Sequence, residues 1–258
     1  MASATGGERM SAERVDVTTA DGTLDVHIFT PGGGAGPWPA VVLYMDAFGI
    51  RPDLASMAQR LASYGCVVAV PNLYYRSGPF APFDGRAVTV DGPERDRFKR
   101  MIASIDHAKV MRDSAALLAV LDARADVRAG SLAVVGYCMG GGYALSAAGT
   151  FPGRVAVAAS FHGGSLATEK PDSPHRLAAQ MRARVYVGAA EIDPTFPPEQ
   201  QERLQRAAAD AGTDLTLEIY PGARHGFAVT GHVMYDRDAS ERHWQVLAGL
   251  LEPLATSS

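Results

Sequence analysis

Between Leu132 and Ala148 the sequence reads LAVV, then Gly136-Tyr137-Cys138-Met139-Gly140-Gly141, then a run of small residues. This junction constrains the fold more than any other stretch. An apolar strand that passes straight into a helix leaves the residue between them in a cramped turn. Side chains two positions either side of that residue would collide, and Gly136 and Gly140 remove them. The pattern is the Gly-x-nucleophile-x-Gly of a nucleophile elbow, with cysteine in the reactive position at the positive end of a helix dipole. A buried structural cysteine in a tight turn is the plainer alternative, and Cys66, within an apolar run, has that character.

The remainder of the chain alternates strand and helix. Val15–Thr18 and Leu24–Thr30 predict an antiparallel pair turning at Asp21-Gly22. Ala40–Met45 and Cys66–Val70 are continuous apolar runs of the kind a strand covered on both faces needs. Val155–Phe161, Val185–Ala189 and Leu215–Tyr220 predict further strands. Helices are predicted over Pro52–Tyr64, from Arg95 to about Leu121, after the elbow through Ala148, near Pro198–Ala211 and over Arg237–Leu251. Ser77–Pro93, rich in Pro, Gly and aromatics, predicts a surface loop beside a pocket. Residues 1–12 predict a flexible tail, and 13–258 one α/β domain whose mostly parallel central sheet carries helices on both faces.

Composition removes several classes of function. Lys+Arg 24 against Asp+Glu 28 gives a net charge of −4, with the basic residues scattered, which predicts no nucleic-acid partner. No apolar run reaches the ~18 residues of a membrane span, and Met1–Arg14 lacks a signal-peptide core, so a cytoplasmic protein without membrane partners is expected. The 2 cysteines predict no disulfide. There is no HExxH, no paired CxxC and no phosphate-loop lysine, and His107, His175, His232 and His243 lack metal spacing. No metal and no cofactor are expected.

A cysteine nucleophile needs a base, and the base an orienting acid. Downstream of Cys138, the strand RVYVGAAE runs into Ile192-Asp193-Pro194, and LTLEIY leads to Ala223-Arg224-His225-Gly226-Phe227. Asp193 and His225 therefore follow the carboxyl ends of successive strands, where α/β sheets gather their ligands. The order nucleophile, acid, histidine is that of the elbow-bearing hydrolases. Glu191, two residues before Asp193, is the rival acid, and His162, after VAVAASF, has a structural role or lines the pocket.

These residues resemble the dienelactone hydrolase family. The matching stretches are VVLYMDAFGIRPDLASMAQRLASYG, VAVPNLYYR, GYCMGGGYAL, AAEIDPTFPPEQ and YPGARHGFAV, in the family's order. The resemblance implies an α/β-hydrolase fold and a Cys-His-Asp triad of Cys138, His225 and Asp193. It implies an oxyanion hole from the backbone N–H groups of Ala47 and Met139. Asp46 matches an acid that holds the resting thiol, where glutamate is usual, and Arg76 an arginine that binds a substrate carboxylate. A plain loop aspartate and a surface arginine remain the alternatives at these positions. A second arginine is expected four residues beyond the histidine, where Val229 stands. Tyr137, Phe161, Phe227 and Val229 join Asp46 and Arg76 as candidates for contact with substrate or thiol, and Met45, Tyr74, Tyr75, Phe80 and Phe83 could line the same cleft.

The expected activity is hydrolysis of small esters or lactones through a thioester, with neutral or hydrophobic substrates preferred, by a monomer or homodimer. An isomerase or cyclase on the same frame, and a catalytically silent ligand-binding member, remain open.

Overall fold

The computed structural model describes residues 12–34 and 36–256. Apart from Ala12, the tail expected over residues 1–12 lies outside the described residues. Among the described residues a sheet of 8 strands runs in the order β1-β2-β4-β3-β5-β6-β7-β8. Strands β1 (Glu13–Thr19) and β2 (Gly22–Phe29) form the antiparallel edge, and β2 joins β4 (Val67–Pro71) antiparallel. From β4 through β3 (Ala40–Tyr44), β5 (Leu132–Tyr137), β6 (Val155–Phe161), β7 (Arg184–Ile192) and β8 (Leu215–Arg224), all neighbours are parallel. Their carboxyl ends therefore open on one side of the sheet.

The central strands are apolar on both faces because both are covered. Every residue of β3, β4 and β5 is buried. The helices are α1 (Pro52–Ala62), α2 (Pro93–Ala103), α3 (His107–Asp122), α4 (Met139–Thr150), α5 (Pro198–Ala211) and α6 (Arg237–Thr256). Proline in the first turn opens α1, α2 and α5, where its missing N–H costs nothing. In helix α4 three successive glycines follow Met139, and the helix is buried on nearly every side, so it packs close against the sheet below.

One expected element is corrected. The stretch from Arg95 to Leu121 is two helices, broken at Ser104-Ile105-Asp106. Asp106 ends the continuity by turning extended and accepting the Lys109 N–H at 2.8 Å, a side-chain cap that starts α3 afresh. Cys66 lies one residue before β4, fully buried, and burial pushes its thiol up to about 11, as befits an inert packing residue. Among the described residues no helix is long and apolar enough to cross a membrane.

Candidate active site

Cys138 stands between β5 and α4 with φ 54° and ψ −119°, a left-handed conformation rare for a residue with a side chain. The glycines around it are required by closeness. A Cβ on Gly136 would lie 2.0 Å from the Gly140 carbonyl oxygen, and one on Gly140 would lie 2.3 Å from that of Tyr44. Strand β6 and the loop after it grip the same turn: Cys138 N–H donates to the Phe161 carbonyl at 3.2 Å, and Gly164 N–H donates to the Cys138 carbonyl at 3.4 Å.

Asp193 and His225 follow β7 and β8, and their side chains meet. His225 Nδ1 and Asp193 Oδ2 are 2.7 Å apart, with the carboxylate buried. Glu191 goes elsewhere. A register shift at Ala190/Ile192 bulges the end of β7, and the exposed Glu191 accepts the Gly222 N–H at 2.7 Å. Thr195 is a partner that the sequence reading did not single out. Its N–H and hydroxyl donate to Asp193 Oδ1 at 2.8 and 2.6 Å, and its hydroxyl lies 3.2 Å from His225 Nδ1. The Asp-Pro-Thr spacing, suited to an Asx turn, is the only sequence signal for it.

The electrostatics bind the three groups together. Burial opposes charge on Asp193, but the His225 hydrogen bond and charge, with the Thr195 bonds, outweigh it and hold the carboxyl below its usual range. Burial likewise opposes a proton on His225. The charge of Cys138, the Asp193 hydrogen bond and a hydrogen bond to Cys138 outweigh it and push the imidazole up to about 10. Both partners thus favour a proton on this imidazole.

His162, at the end of β6, packs edge-to-face on His225 with centroids 5.2 Å apart. It is buried at φ 40°, and neither ring nitrogen has a hydrogen-bond partner among the described residues. Burial, and then the charge of His225, hold its pKa well below the ordinary value, so this second imidazole stays neutral.

The loop after β3 carries Asp46 and Ala47. Met139 N–H is one of the amides a helix start leaves without an intrahelical acceptor, and Tyr74 hydroxyl fixes the Ala47 peptide by donating to its carbonyl at 3.0 Å. Asp46 is not bonded to sulfur. Its carboxylate takes Arg51 Nη1 and Nη2 at 2.6 and 2.7 Å and the Phe48 N–H at 3.0 Å, which ties down the loop instead.

Other expected contacts are not brought together. Arg76 lies in a short turn after β4, where its guanidinium donates to Asp21 at 2.6 Å and to buried Asp113 at 2.8 Å, so it is an ion-pair anchor of the fold and not a free carboxylate ligand. Tyr137 points into the core, its hydroxyl 2.9 Å from His243 Nε2, and Phe161 stacks on its ring. Phe227 stacks on Tyr220 and meets the His162 ring, and Val229 is fully buried. Met45, Tyr74 and Phe83 are buried as well, whereas Tyr75 and Phe80 border a groove of about 610 Å³ with Ile50 and His27. These side chains read as cleft-facing in sequence because an aromatic at a strand's end serves core and pocket equally well.

A mostly parallel sheet, a cysteine elbow after β5 and a His–Asp pair after β7 and β8 define an α/β-hydrolase fold. The model of the dienelactone hydrolase family matches residues 24–254, and the chain belongs to that family. A relative named as a carboxymethylenebutenolidase, from Methylorubrum extorquens, is 24% identical over 95% of this chain and 81% of its own. A relative named as a 2-oxo-3-(5-oxofuran-2-ylidene)propanoate lactonase, from Bradyrhizobium, is 28% identical over 92% of each chain. Among solved structures, one described as a dienelactone hydrolase of Klebsiella pneumoniae superposes with a TM-score of 0.81 at 22% identity, over 95% of this chain and 98% of its own.

Proposed function

We propose that this dienelactone hydrolase-like enzyme opens neutral esters or lactones through a Cys138-His225-Asp193 triad and a thioester intermediate. The observation that carries the reading is the 2.7 Å His225–Asp193 bond, set beside a strained cysteine elbow whose sulfur raises the proton affinity of the same imidazole. Cys138 sulfur attacks the carbonyl carbon and forms the C–S bond. The carbonyl oxygen takes the negative charge and is met by the amides of Ala47 and Met139, donors typically worth ~3 kcal/mol each. Collapse breaks the C–O bond, and the His225 proton passes to the departing oxygen. His225, now neutral, accepts a proton from water; the hydroxide attacks the thioester, the acid leaves and sulfur is restored.

Two features of this chain support a neutral substrate. Arg76 and Arg51 are each bound to carboxylates, and Val229 adds buried apolar surface where the family resemblance leads one to expect a second arginine. A carboxylate taken from water needs full compensation by such cations. Relatives named for lactone cleavage fit an ester or lactone substrate.

Hydrolysis of an aryl ester in isotopically labelled water tests the reading. Label should enter the acid product, and Cys138→Ala should abolish cleavage while Cys66→Ala retains it. Undiminished cleavage by Cys138→Ala would overturn the covalent route, and an unlabelled rearranged product would identify an isomerase or cyclase.

A further inference from the structure

The segment between β8 and α6 holds another imidazole, His232, which no step above uses. It touches two walls of the site at once. Its ring lies 5.7 Å from that of Phe48, centroid to centroid, next to the loop that carries Ala47. It also covers Gly226, beside His225: a Cβ there would stand 2.4 Å from both His232 Cε1 and Nδ1. Glycine at this position, with φ +96°, is what lets the ring lie so close.

Hydrogen bonding fixes the tautomer. Met234 N–H donates to His232 Nδ1 at 3.1 Å. A backbone amide cannot accept, so Nδ1 carries the lone pair and the ring proton is on Nε2. Burial lowers the pKa of the ring against the opposing pull of the Asp46 carboxylate, which keeps it neutral. Nε2–H lies on the edge away from Gly226 and has no acceptor among the described residues, on a ring that is only half-buried. A donor oriented by packing on both sides, beside the base and the oxyanion loop, can recognise an oxygen that a substrate presents.

We propose that His232 is a specificity-determining residue whose Nε2–H donates to a neutral oxygen, keto or alkoxy, placed next to the scissile carbonyl. The substrate class is thereby narrowed to esters and lactones bearing such an oxygen, which rests on the hydrolytic reading above. A neutral N–H pairs with a neutral acceptor at little cost, but it cannot replace an arginine opposite a carboxylate. A site that offers a donor also rejects the analogue lacking the oxygen, because the donor is then left unpaired.

The test compares aryl methoxyacetate with aryl butanoate, which differ by one oxygen in place of a methylene. The ratio of their kcat/KM values is taken within each protein, so that losses common to both substrates cancel. The ratio should fall tenfold or more from wild type to His232→Phe and recover in part in His232→Gln, which keeps an N–H. A second measurement follows the His232 Nε2–H resonance in Cys138→Ala as each ester is added, and it should move with the methoxyacetate alone. An unchanged ratio, or a resonance indifferent to the extra oxygen, would overturn the proposal. A selective shift in a protein that hydrolyses neither ester would leave the contact standing and sink the hydrolytic reading instead.

Discussion

Arg76 shows how much a single residue's meaning depends on its neighbours in space. In sequence it is an arginine at the end of NLYYR, fit to meet an anion. In the fold, Asp21 arrives from the β1–β2 turn and Asp113 from α3, 55 and 37 positions away along the chain. Asp113 is buried, and Tyr75 hydroxyl also donates to it at 3.0 Å. Removing the cation would leave that carboxylate buried with one neutral donor, a loss that typically costs ~3–5 kcal/mol. Arg76→Met should therefore lower stability by about 3 kcal/mol in urea denaturation, while the kcat/KM ratio of a neutral to a carboxylated ester stays within twofold. A selective loss of the carboxylated ester at unchanged stability would restore Arg76 as a substrate ligand. Asp46 teaches the same lesson at shorter range, since Arg51, only five positions on, captures its carboxylate in the turn.

At the scale of elements, local pattern carried much of the fold. The strand Val155–Phe161 and the helix Pro198–Ala211 were legible to the residue, because strand apolarity and a proline start are written locally. The elbow was legible for a stronger reason: its glycines answer to collisions within the motif itself. What escaped was decided elsewhere. The bulge in β7 that separates Glu191 from Asp193 comes from its register against β8. The break between α2 and α3 lay hidden because apolar spacing continues across it, while the capping signal of Asp106 is a single side chain. That cap gives an expectation of its own. Asp106→Ala should cost ~1 kcal/mol, the usual worth of an N-cap, seen as faster amide exchange in the first turn of α3. Protection unchanged in that turn would mean that packing on α4 alone defines the helix start.

Over the whole molecule the site couples stability to pH. An unfolded histidine titrates near ~6.5, whereas His225 holds its proton up to about 10 in the fold. A group whose pKa is raised by folding contributes fully below its unfolded value and loses the contribution as pH rises through the folded one. The gap in melting temperature between wild type and His225→Gln should thus be widest at and below pH ~6.5 and narrow as pH rises to about 10. A gap constant across this window, in a thermal denaturation series, would show that the imidazole does not hold its proton against the sulfur.

The strand order has a consequence in time. Cys138 directly follows β5, at the centre of the sheet, but His225 directly follows β8, the edge strand laid down against β7. A chain that has assembled only as far as β6 already possesses its elbow, yet lacks both Asp193 and His225. With the triad proposed above, ester turnover would begin only when the last strand docks, and the emergence of activity would be a clock for completed folding.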